Sequence, residues 1–523
     1  MATKSLPPTK VIIIGAGFSG VTMACNLQLH LGIDDYCIYD RSPQIGGAWY
    51  ANTYPGCAVD IPGFCYTLSF GPKPMFSHLY PQQSDILAYI NSVARHFGVR
   101  THFTGSMEWR GCEWDESAQR WIVHIEDLAS EQRYKQECRI LVSCVGGLTN
   151  PREVTFPGLR NFQGTIMHTA RWDHTTDFSG KRVVVIGSGA SAAQLIPALA
   201  GTPASITQIV RTPEYLVPSR DYVLSRPAQL LLYWIPGMWL LIRTLIFLYM
   251  EVTFLYFQVS KIGDKGRRMY EKQSLDYIRK SMPDHYWPFL VPKYRFGCRR
   301  RIFDKAYTTA LHRPDVQLVR GDVAEVRESS IIVRGGSKIE ADIIVLATGF
   351  DLSHYDTHVQ GIGGKTRKDH WNEQGHKSTF KSVAMHGFPN FFFVLGPNSG
   401  RLHTSTLMSI EWHSEYITKV IKPVTDGHSG VVQVQAESEK DYQKKLLHAL
   451  DYTVHDGSCS SNLIDKKTGK NWVVYPWSSF YLWYETKWDT LEDWEYDRLK
   501  GHDSSRSQDD IIGGKMSAVY EGQ

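Results

Sequence analysis

Residues 11–20 read VIIIGAGFSG, a run of four β-branched side chains that ends in a turn with three glycines. A buried strand followed at once by Gly-x-Gly-x-x-Gly and an apolar helix is typical of a dinucleotide-binding βαβ unit. Gly15 permits the tight turn, Gly17 lets the backbone approach a pyrophosphate, and Gly20 lets the helix pack closely on the strand.

The helix predicted over about 18–31 supplies the phosphate site, because the first N–H groups of a helix have no partner within it. Phe18 and Ser19 are therefore candidate contacts to the nucleotide. The next predicted strand, 36–39, ends at Asp40, 20 residues past Gly20. An acid at this strand end accepts hydrogen bonds from ribose hydroxyls and repels a 2′-phosphate, which indicates FAD or NAD rather than NADP.

The same pattern returns later, with a strand over 183–186, a Gly-x-Gly-x-x-Ala turn and an apolar helix to about Leu199. The strand at 208–210 ends at Arg211, where the first unit carries its acid. A cation at this position pairs with the 2′-phosphate of NADPH, and Thr212 can add a hydroxyl donor. The alternative for Arg211 is a solvent-exposed side chain without a ligand. The other predicted contacts in this unit are Gly187, Ser188, Gly189, Ala190, Ser191, Ala192 and Gln194.

These patterns predict an α/β protein with two Rossmann-like dinucleotide-binding domains, one for FAD and one for NADPH, and a mostly helical insertion at about 215–290. Residues 1–158 form the first part of the FAD-binding domain and 159–330 the NADPH-binding domain. Residues 331–523 contain the second part of the FAD-binding domain and the C-terminal region, and a late strand is expected at 341–346.

The segment 228–257 is rich in Leu, Ile, Phe, Trp and Tyr, but Pro236, Arg243 and Glu251 interrupt it. Its uncharged runs are shorter than the roughly 20 residues of a spanning helix. We favour a buried helical insertion that caps the substrate site, and the alternative is a monotopic segment that contacts a membrane surface.

The composition narrows the class of partner. A formal charge of +4 over 523 residues gives no reason to expect nucleic acid. The nine cysteines include no Cys-x-x-Cys pair, which argues against a zinc site or a disulfide framework and favours a reducing compartment. The N-terminus lacks the apolar core of a secretory signal, so we expect a cytoplasmic protein, with membrane association as the alternative; the oligomeric state is open.

Residues 162–173 read FQGTIMHTARWD, that is F-x-G-x-x-x-H-x-x-x-W-D. The pattern resembles the fingerprint of Baeyer–Villiger monooxygenases, which are class B flavoprotein monooxygenases. Gly47-Ala48-Trp49, Tyr54-Pro55-Gly56 and Asp60 fit a second pattern of that family. The resemblance extends to about Ser405. As a whole, the sequence resembles fungal members of the family that tailor secondary metabolites.

The resemblance implies that FAD, NADPH and O₂ together convert a ketone to an ester or lactone through a flavin C4a-peroxide. The aromatic content and the apolar insertion suggest a bulky hydrophobic substrate, although core packing would account for both equally well. By the same resemblance Arg300 stabilises the peroxide, Asp60 pairs with that arginine, and Arg299 helps to hold the 2′-phosphate. Three consecutive arginines, 299–301, leave this register open by one residue.

The resemblance also assigns flavin-side contacts and a hinge. His168 and Trp172 are expected to couple motion between the domains, and Asn462 stands where the family often has a Trp against the NADP ribose. The flavin-side contacts are Gly47, Ala48, Trp49, Tyr54, Ala58, Val59, Asp60 and Tyr66.

Other functions are consistent with part of the pattern. A flavin-containing N- or S-oxygenase shares the peroxide but lacks the Trp-Asp ending of the fingerprint. A non-oxygenating flavoprotein reductase needs a redox cysteine pair, and Cys57 and Cys65, separated by seven residues, are poorly spaced for one. A flavin-binding sensor or inactive scaffold is the non-enzymatic alternative.

Overall fold

The computed structural model describes residues 2–71, 75–219, 222–352, 357–455, 463–465 and 467–497. The strands are β1 Lys4–Ser5, β2 Thr9–Ile14, β3 Tyr36–Tyr39, β4 Phe103–Thr104, β5 Met107–Asp115, β6 Arg120–Asp127, β7 Arg133–Ser143, β8 Thr165–His168, β9 Arg182–Ile186, β10 Ser205–Val210, β11 Leu216–Pro218, β12 Ile302–Asp304, β13 Val316–Arg320, β14 Val323–Arg327, β15 Ser330–Val333, β16 Lys338–Glu340, β17 Ile343–Leu346, β18 His358–Gln360, β19 Phe391–Phe393, β20 Val431–Val434 and β21 Trp494–Asp497. The helices are α1 Phe18–Leu31, α2 Ala48–Ala51, α3 Gln83–His96, α4 Ala190–Leu199, α5 Arg226–Trp234, α6 Met238–Val252, α7 Lys261–Ser281, α8 Tyr307–Ala310, α9 Arg367–Gln374, α10 Thr406–Thr425, α11 Ala436–Asp451 and α12 Ser479–Lys487.

The first glycine turn follows the central strand of a parallel sheet. In this sheet β4, β3, β2, β7 and β19 lie side by side, and Ile13 of β2 pairs with Ile38 of β3 and with Val142 of β7. The run Val11–Ile14 is buried because both faces of a parallel sheet are covered, which is why the strand reads as continuous apolar sequence. The long strand β7 also forms an antiparallel meander with β5 and β6.

The second glycine turn has the same setting in a second parallel sheet, ordered β13, β10, β9, β17 and β8. The strands β13-β10-β9-β17 repeat the arrangement β4-β3-β2-β7, with the strand before the glycine turn in third place. Two Rossmann-type domains, as predicted, therefore make up the α/β fold. The fingerprint segment provides β8, the edge strand of the second sheet.

The late strand corrects the predicted domain boundary. The strand expected at 341–346 is present as β17, but Ile343 pairs with Thr165 of β8 and with Val183 of β9. These backbone hydrogen bonds make β17 part of the second sheet. The predicted end of the NADPH-binding domain at residue 330 is therefore too early, and this domain continues beyond Leu346.

The insertion is helical as predicted, but the favoured expectation that segment 228–257 is buried is wrong. In α6 the buried side chains are Arg243, Met250 and Glu251, whereas Leu241 and Leu245 are exposed. The two charged side chains are eight positions apart, so they lie on one side of the helix. That side of α6 faces the protein, because Arg243 pairs with Glu411 and Glu251 accepts a hydrogen bond from Ser479. The leucines on the opposite side of the helix therefore face outward.

Arg243 holds α6 against the first domain and α10. Its guanidinium donates to the Thr67 carbonyl at 2.7 Å and lies 3.2 Å from the Glu411 carboxylate, with side chains only 9% and 4% exposed. Glu411 also accepts hydrogen bonds from the backbone N–H and the hydroxyl of Ser69. Burial raises the pKa of Glu411 above its usual value, although Arg243 and Ser69 act in the opposite direction.

We expect Arg243→Ala to lower the free energy of unfolding by about 3–5 kcal/mol, because Glu411 would remain buried without its counter-charge. Thermal unfolding followed by circular dichroism measures the loss. The matched control is Arg268→Ala, which removes an exposed arginine of α7 and should change stability by less than about 0.5 kcal/mol. Equal melting temperatures for the two variants would contradict the role of the buried pair.

Candidate active site

The first glycine turn is in backbone contact with the loop that contains Gly46 and Gly47. A Cβ on Gly47 would lie 2.7 Å from the Gly17 Cα, and its φ of +54° disfavours any other residue. The Gly46 N–H donates to the Ala16 carbonyl at 3.0 Å. The predicted contacts Gly15, Gly17 and Gly47 thus form one bare backbone cradle, open to a flat or anionic group.

The helix that begins at this cradle suits a phosphate. Within the described chain, α1 has Gly17 as its N-cap without a side-chain cap, and its first turn carries no acid. Asp40 accepts hydrogen bonds from the N–H groups of Ala16 and Ser42, each at 2.7 Å. Each oxygen keeps a lone pair for a ribose hydroxyl. The residues present therefore fit the adenosine diphosphate half of FAD.

The second cradle is built in the same way at the N-terminus of α4. A Cβ on Gly187 would lie 2.2 Å from the Ala347 carbonyl, whereas one on Gly189 would meet nothing within 4 Å, which leaves room for a pyrophosphate. The Ser188 hydroxyl donates to the Thr212 carbonyl at 2.7 Å. The Arg211 side chain is 73% exposed, and its ion pair with Asp322 is long, at 3.7 Å. The guanidinium is therefore accessible to a 2′-phosphate.

A polar joint connects the two domains. The Tyr54 hydroxyl donates to the Gln194 amide oxygen at 2.7 Å, and the Gln194 amide nitrogen donates to the Ala58 carbonyl at 3.0 Å. A Cβ on Gly56 would lie 2.4 Å from the Gln194 carbonyl. Gln194 and Ala58, predicted as nucleotide contacts, are thus placed at the domain joint, which the sequence did not indicate.

Asp60 and Arg300 form an ion pair at 2.6 Å, a few residues beyond this joint. Beside them the Trp49 indole N–H donates to the Tyr66 hydroxyl at 2.9 Å. The Tyr66 ring lies 5.9 Å edge-on from Phe18 in the first turn of α1. Burial raises the pKa of Tyr66, and Asp60 and Arg300 both act on it, so these side chains share one electrostatic environment. The predicted catalytic pair therefore lies next to the first cradle.

The three consecutive arginines diverge in their contacts. Arg300 is the one that pairs with Asp60. Arg301 packs over the Phe303 ring at 5.2 Å, and burial lowers its pKa. Arg299, predicted to hold the 2′-phosphate, is paired with Glu214 at 3.0 Å, two residues after Thr212. It thus lies on the side of the second cradle, although a carboxylate already engages it.

The inner side of α6 forms an apolar wall, where sequence reasoning expected a cap over the site but did not single out the residues. Its residues pack with the segment 59–66 and with Trp49. The charges that interrupt segment 228–257 were the available signal, because they mark the side of the helix that faces inward. The wall residues are Ile246, Phe247 and Met250.

The fingerprint histidine and tryptophan are held locally. His168 is buried at the end of β8, and its Nδ1 accepts from the Ala170 N–H at 3.0 Å. Burial lowers the pKa of His168, so the ring is neutral near pH 7. Trp172 stacks on Phe178 at 5.4 Å. Their hinge role stays a prediction, and Asn462 lies outside the described residues.

The thiols weigh against a disulfide reductase. Cys57 and Cys65 are both free, and burial raises the pKa of each to about 11. A redox thiol must be a thiolate near neutral pH, so these two are poorly suited to that chemistry.

Residues 8–359 match the FMO-like family, whose members are flavin-binding monooxygenase-like proteins. The chain belongs to this family. The FAD-binding monooxygenase ktnD of Aspergillus niger is 32% identical over 98% of this chain and 84% of its own length. A Baeyer–Villiger monooxygenase of Streptomyces coelicolor is 30% identical over 91% of each chain.

Solved structures show the same fold. Cyclohexanone monooxygenase from Rhodococcus sp. Phi1, bound to NADP⁺, superposes with a TM-score of 0.82 at 23% identity, over 95% of this chain and 100% of that one. An OTEMO complex with FAD and NADP has a TM-score of 0.82 at 22% identity, over 94% of this chain and 100% of that one. The predicted family, monooxygenase class and flavin cofactor are confirmed. Of the two solved structures, one holds NADP⁺ and the other holds FAD and NADP.

We expect Gly47→Ala to weaken FAD binding by about 10–100-fold, because the new methyl group meets Gly17 and strains the backbone. The ratio of flavin to protein absorbance after purification measures the loss. Gly98→Ala is the matched control, since Gly98 has a similar φ of +67° but nothing within 4 Å of a Cβ. Full flavin content in Gly47→Ala would contradict the cradle.

We expect Arg211→Ala to raise KM for NADPH by about 10–100-fold, the usual cost of a lost charge-assisted hydrogen bond, and to leave KM for NADH nearly unchanged. Initial rates of flavin reduction with each nucleotide test this. An equal rise for NADPH and NADH would remove Arg211 from the 2′-phosphate site.

Proposed function

We propose that the protein is a Baeyer–Villiger monooxygenase that uses FAD, NADPH and O₂ to convert a ketone to an ester or lactone. The observation that carries this proposal is the Asp60–Arg300 pair at 2.6 Å, which acts on Tyr66 beside Trp49, next to the first cradle. Two relatives named Baeyer–Villiger monooxygenase, 30% and 29% identical over 91% of the chain, support it.

Each cofactor has a set of residues that would hold it. Gly15–Gly20, Asp40 and Gly47 would hold FAD, and Gly187–Ala192 with Arg211 would hold NADPH. When bound, the two cofactors supply hydride transfer and the activation of O₂. The protein supplies position, charge and a surface that excludes water.

Arg300 supplies the fixed positive charge of the reaction. A guanidinium is a fixed cation with several N–H donors, so it would stabilise the negative oxygen that forms when the ketone carbonyl is attacked. Asp60 holds the guanidinium in place through the 2.6 Å contact. An N- or S-oxygenase has less need of this group, because no negative oxygen develops on its substrate.

The substrate part of the proposal is a bulky, hydrophobic ketone, such as a fungal secondary metabolite. Its support is the apolar wall of α6, where Ile246, Phe247 and Met250 pack beside Trp49 and Tyr66. A wall of this kind binds through the area of apolar surface that it covers, so larger apolar ketones should bind more tightly than small polar ones.

The deciding experiment is turnover of a ketone panel under ¹⁸O₂ with mass spectrometry of the products. The proposal expects esters or lactones that contain one ¹⁸O atom. Oxidation of sulfides or amines in the same assay, with ketones untouched, would instead assign an S- or N-oxygenase.

We expect Arg300→Ala to retain FAD and NADPH-dependent flavin reduction but to lower ester formation by about 10²–10³-fold, the usual cost of removing one oxyanion donor. Stopped-flow absorbance measures the reduction, and product analysis measures the ester. Arg300→Lys keeps the charge and should recover part of the activity. Ester formation at the wild-type rate in Arg300→Ala would overturn the assignment.

A further inference from the structure

The outer side of α5 and α6 carries a continuous set of exposed apolar side chains, which we call the apolar face. On α6 they are at positions 241, 245, 248 and 252, a spacing that places them on one stripe of the helix. The six side chains of the face are between 42% and 72% exposed. The members are Leu231, Trp234, Leu241, Leu245, Leu248 and Val252.

The charges of this segment point away from the apolar face. Arg243 and Glu251 are the only charged residues in 227–260, and both are buried. Arg243 pairs with Glu411, and Glu251 accepts from the Ser479 N–H at 2.8 Å. The outward surface of 227–260, all of it described, is therefore uncharged. A typical surface helix exposes its charged side chains and buries its leucines, whereas α6 does the reverse.

Basic side chains stand at both ends of the uncharged segment. Arg226 precedes it, and Lys261, Lys265 and Arg268 follow it, all exposed. The one acid among them, Asp264, is paired with Arg267. An apolar surface with a basic rim complements an anionic lipid surface, since lysines and arginines near the headgroups strengthen binding.

The helix cannot leave the protein to span a bilayer. Met238–Phe257 is long and apolar enough to do so by length and composition. Arg243 and Glu251, however, tie the two halves of α6 to α10 and α12, and crossing would carry both charges into hydrocarbon. The geometry suits a helix that lies in the plane of the interface.

An apolar crevice lies between α5, α6 and the residues just beyond Asp60 in the chain. Tyr233, partly exposed on α5, lines this crevice, which also includes Gly63 and Phe64. Trp239 of α6 lines the same crevice and lies 4.6 Å from the Phe64 ring. The opposite side of α6 is the wall against Trp49 and Tyr66.

We propose that the apolar face docks on the surface of an anionic lipid bilayer and that the ketone enters from the membrane. The docking stands on the exposed side chains and the basic rim alone. The entry of a membrane-dissolved ketone rests on the proposed function, and it makes the substrate class lipophilic.

The test is flotation of the holoenzyme with vesicles of phosphatidylcholine, and of an equal mixture of phosphatidylcholine and phosphatidylserine. The wild type should float with both, more strongly with the anionic vesicles, and salt should weaken the difference. Leu241→Glu/Leu245→Glu should lower vesicle affinity by at least about 100-fold, because two apolar anchors become charged. Unchanged flotation of this double variant would overturn the proposal.

The matched control is Leu128→Glu/Leu148→Glu, two leucines exposed elsewhere on the molecule, which should float like the wild type. Sedimentation velocity without lipid tests a second copy of the chain as the occupant. A wild-type dimer that the α6 variant converts to a monomer, with vesicle binding unchanged, would assign the apolar face to self-association and refute docking.

Activity separates the two proposals. The α6 variant should oxidise a small water-soluble ketone at the wild-type rate and lose turnover of a long-chain ketone held in vesicles. Equal turnover of the vesicle-held ketone by both proteins would overturn membrane entry. Flotation of a wild type that oxidises no ketone would support docking and refute the proposed function.

Discussion

The ion pair between Asp60 and Arg300 joins side chains 240 residues apart and requires most of the structure to be in place. Asp60 follows the segment that packs on α4, and Arg300 follows the helical insertion. One parallel sheet positions each cradle, and the domain joint sets the distance between them. The Arg300 guanidinium can act on both nucleotide sites only if it is aligned with both cradles. The two sheets and the domain joint together determine this alignment.

The insertion shows how buried charge can orient a helix. Arg243 and Glu251 have partners only on the protein side, and an unpaired charge in a dry interior would cost more than exposing several leucines. The orientation of α6 is thereby decided by two residues, and the exposed apolar stripe is a consequence. The same orientation turns Ile246 and Phe247 toward Trp49 and Tyr66, so one helix separates the candidate site from the outer surface.

Local patterns predicted the cradles well, because a strand, a glycine turn and a helix are encoded by adjacent residues. Long-range contacts were harder. The membership of β17 in the second sheet depends on its pairing with β8 and β9. The arginines at 299–301 are identical in sequence and are distinguished only by the residues that each contacts in the folded protein. Periodicity showed which residues of α6 share a side but could not show which side faces the protein. The link between Gln194 and Tyr54 also leaves no sequence signal, and the nucleotide contact of Gln194 stays a prediction.

That glutamine gives the joint a mechanical property. Its amide is bound at one end by Tyr54 and at the other by Ala58, on either side of the bare glycine at position 56. Because Tyr54 and Ala58 belong to one loop and Gln194 belongs to α4, a rotation of one domain on the other would change the lengths of both hydrogen bonds. One amide side chain thereby couples the alignment of the two glycine turns to a single loop.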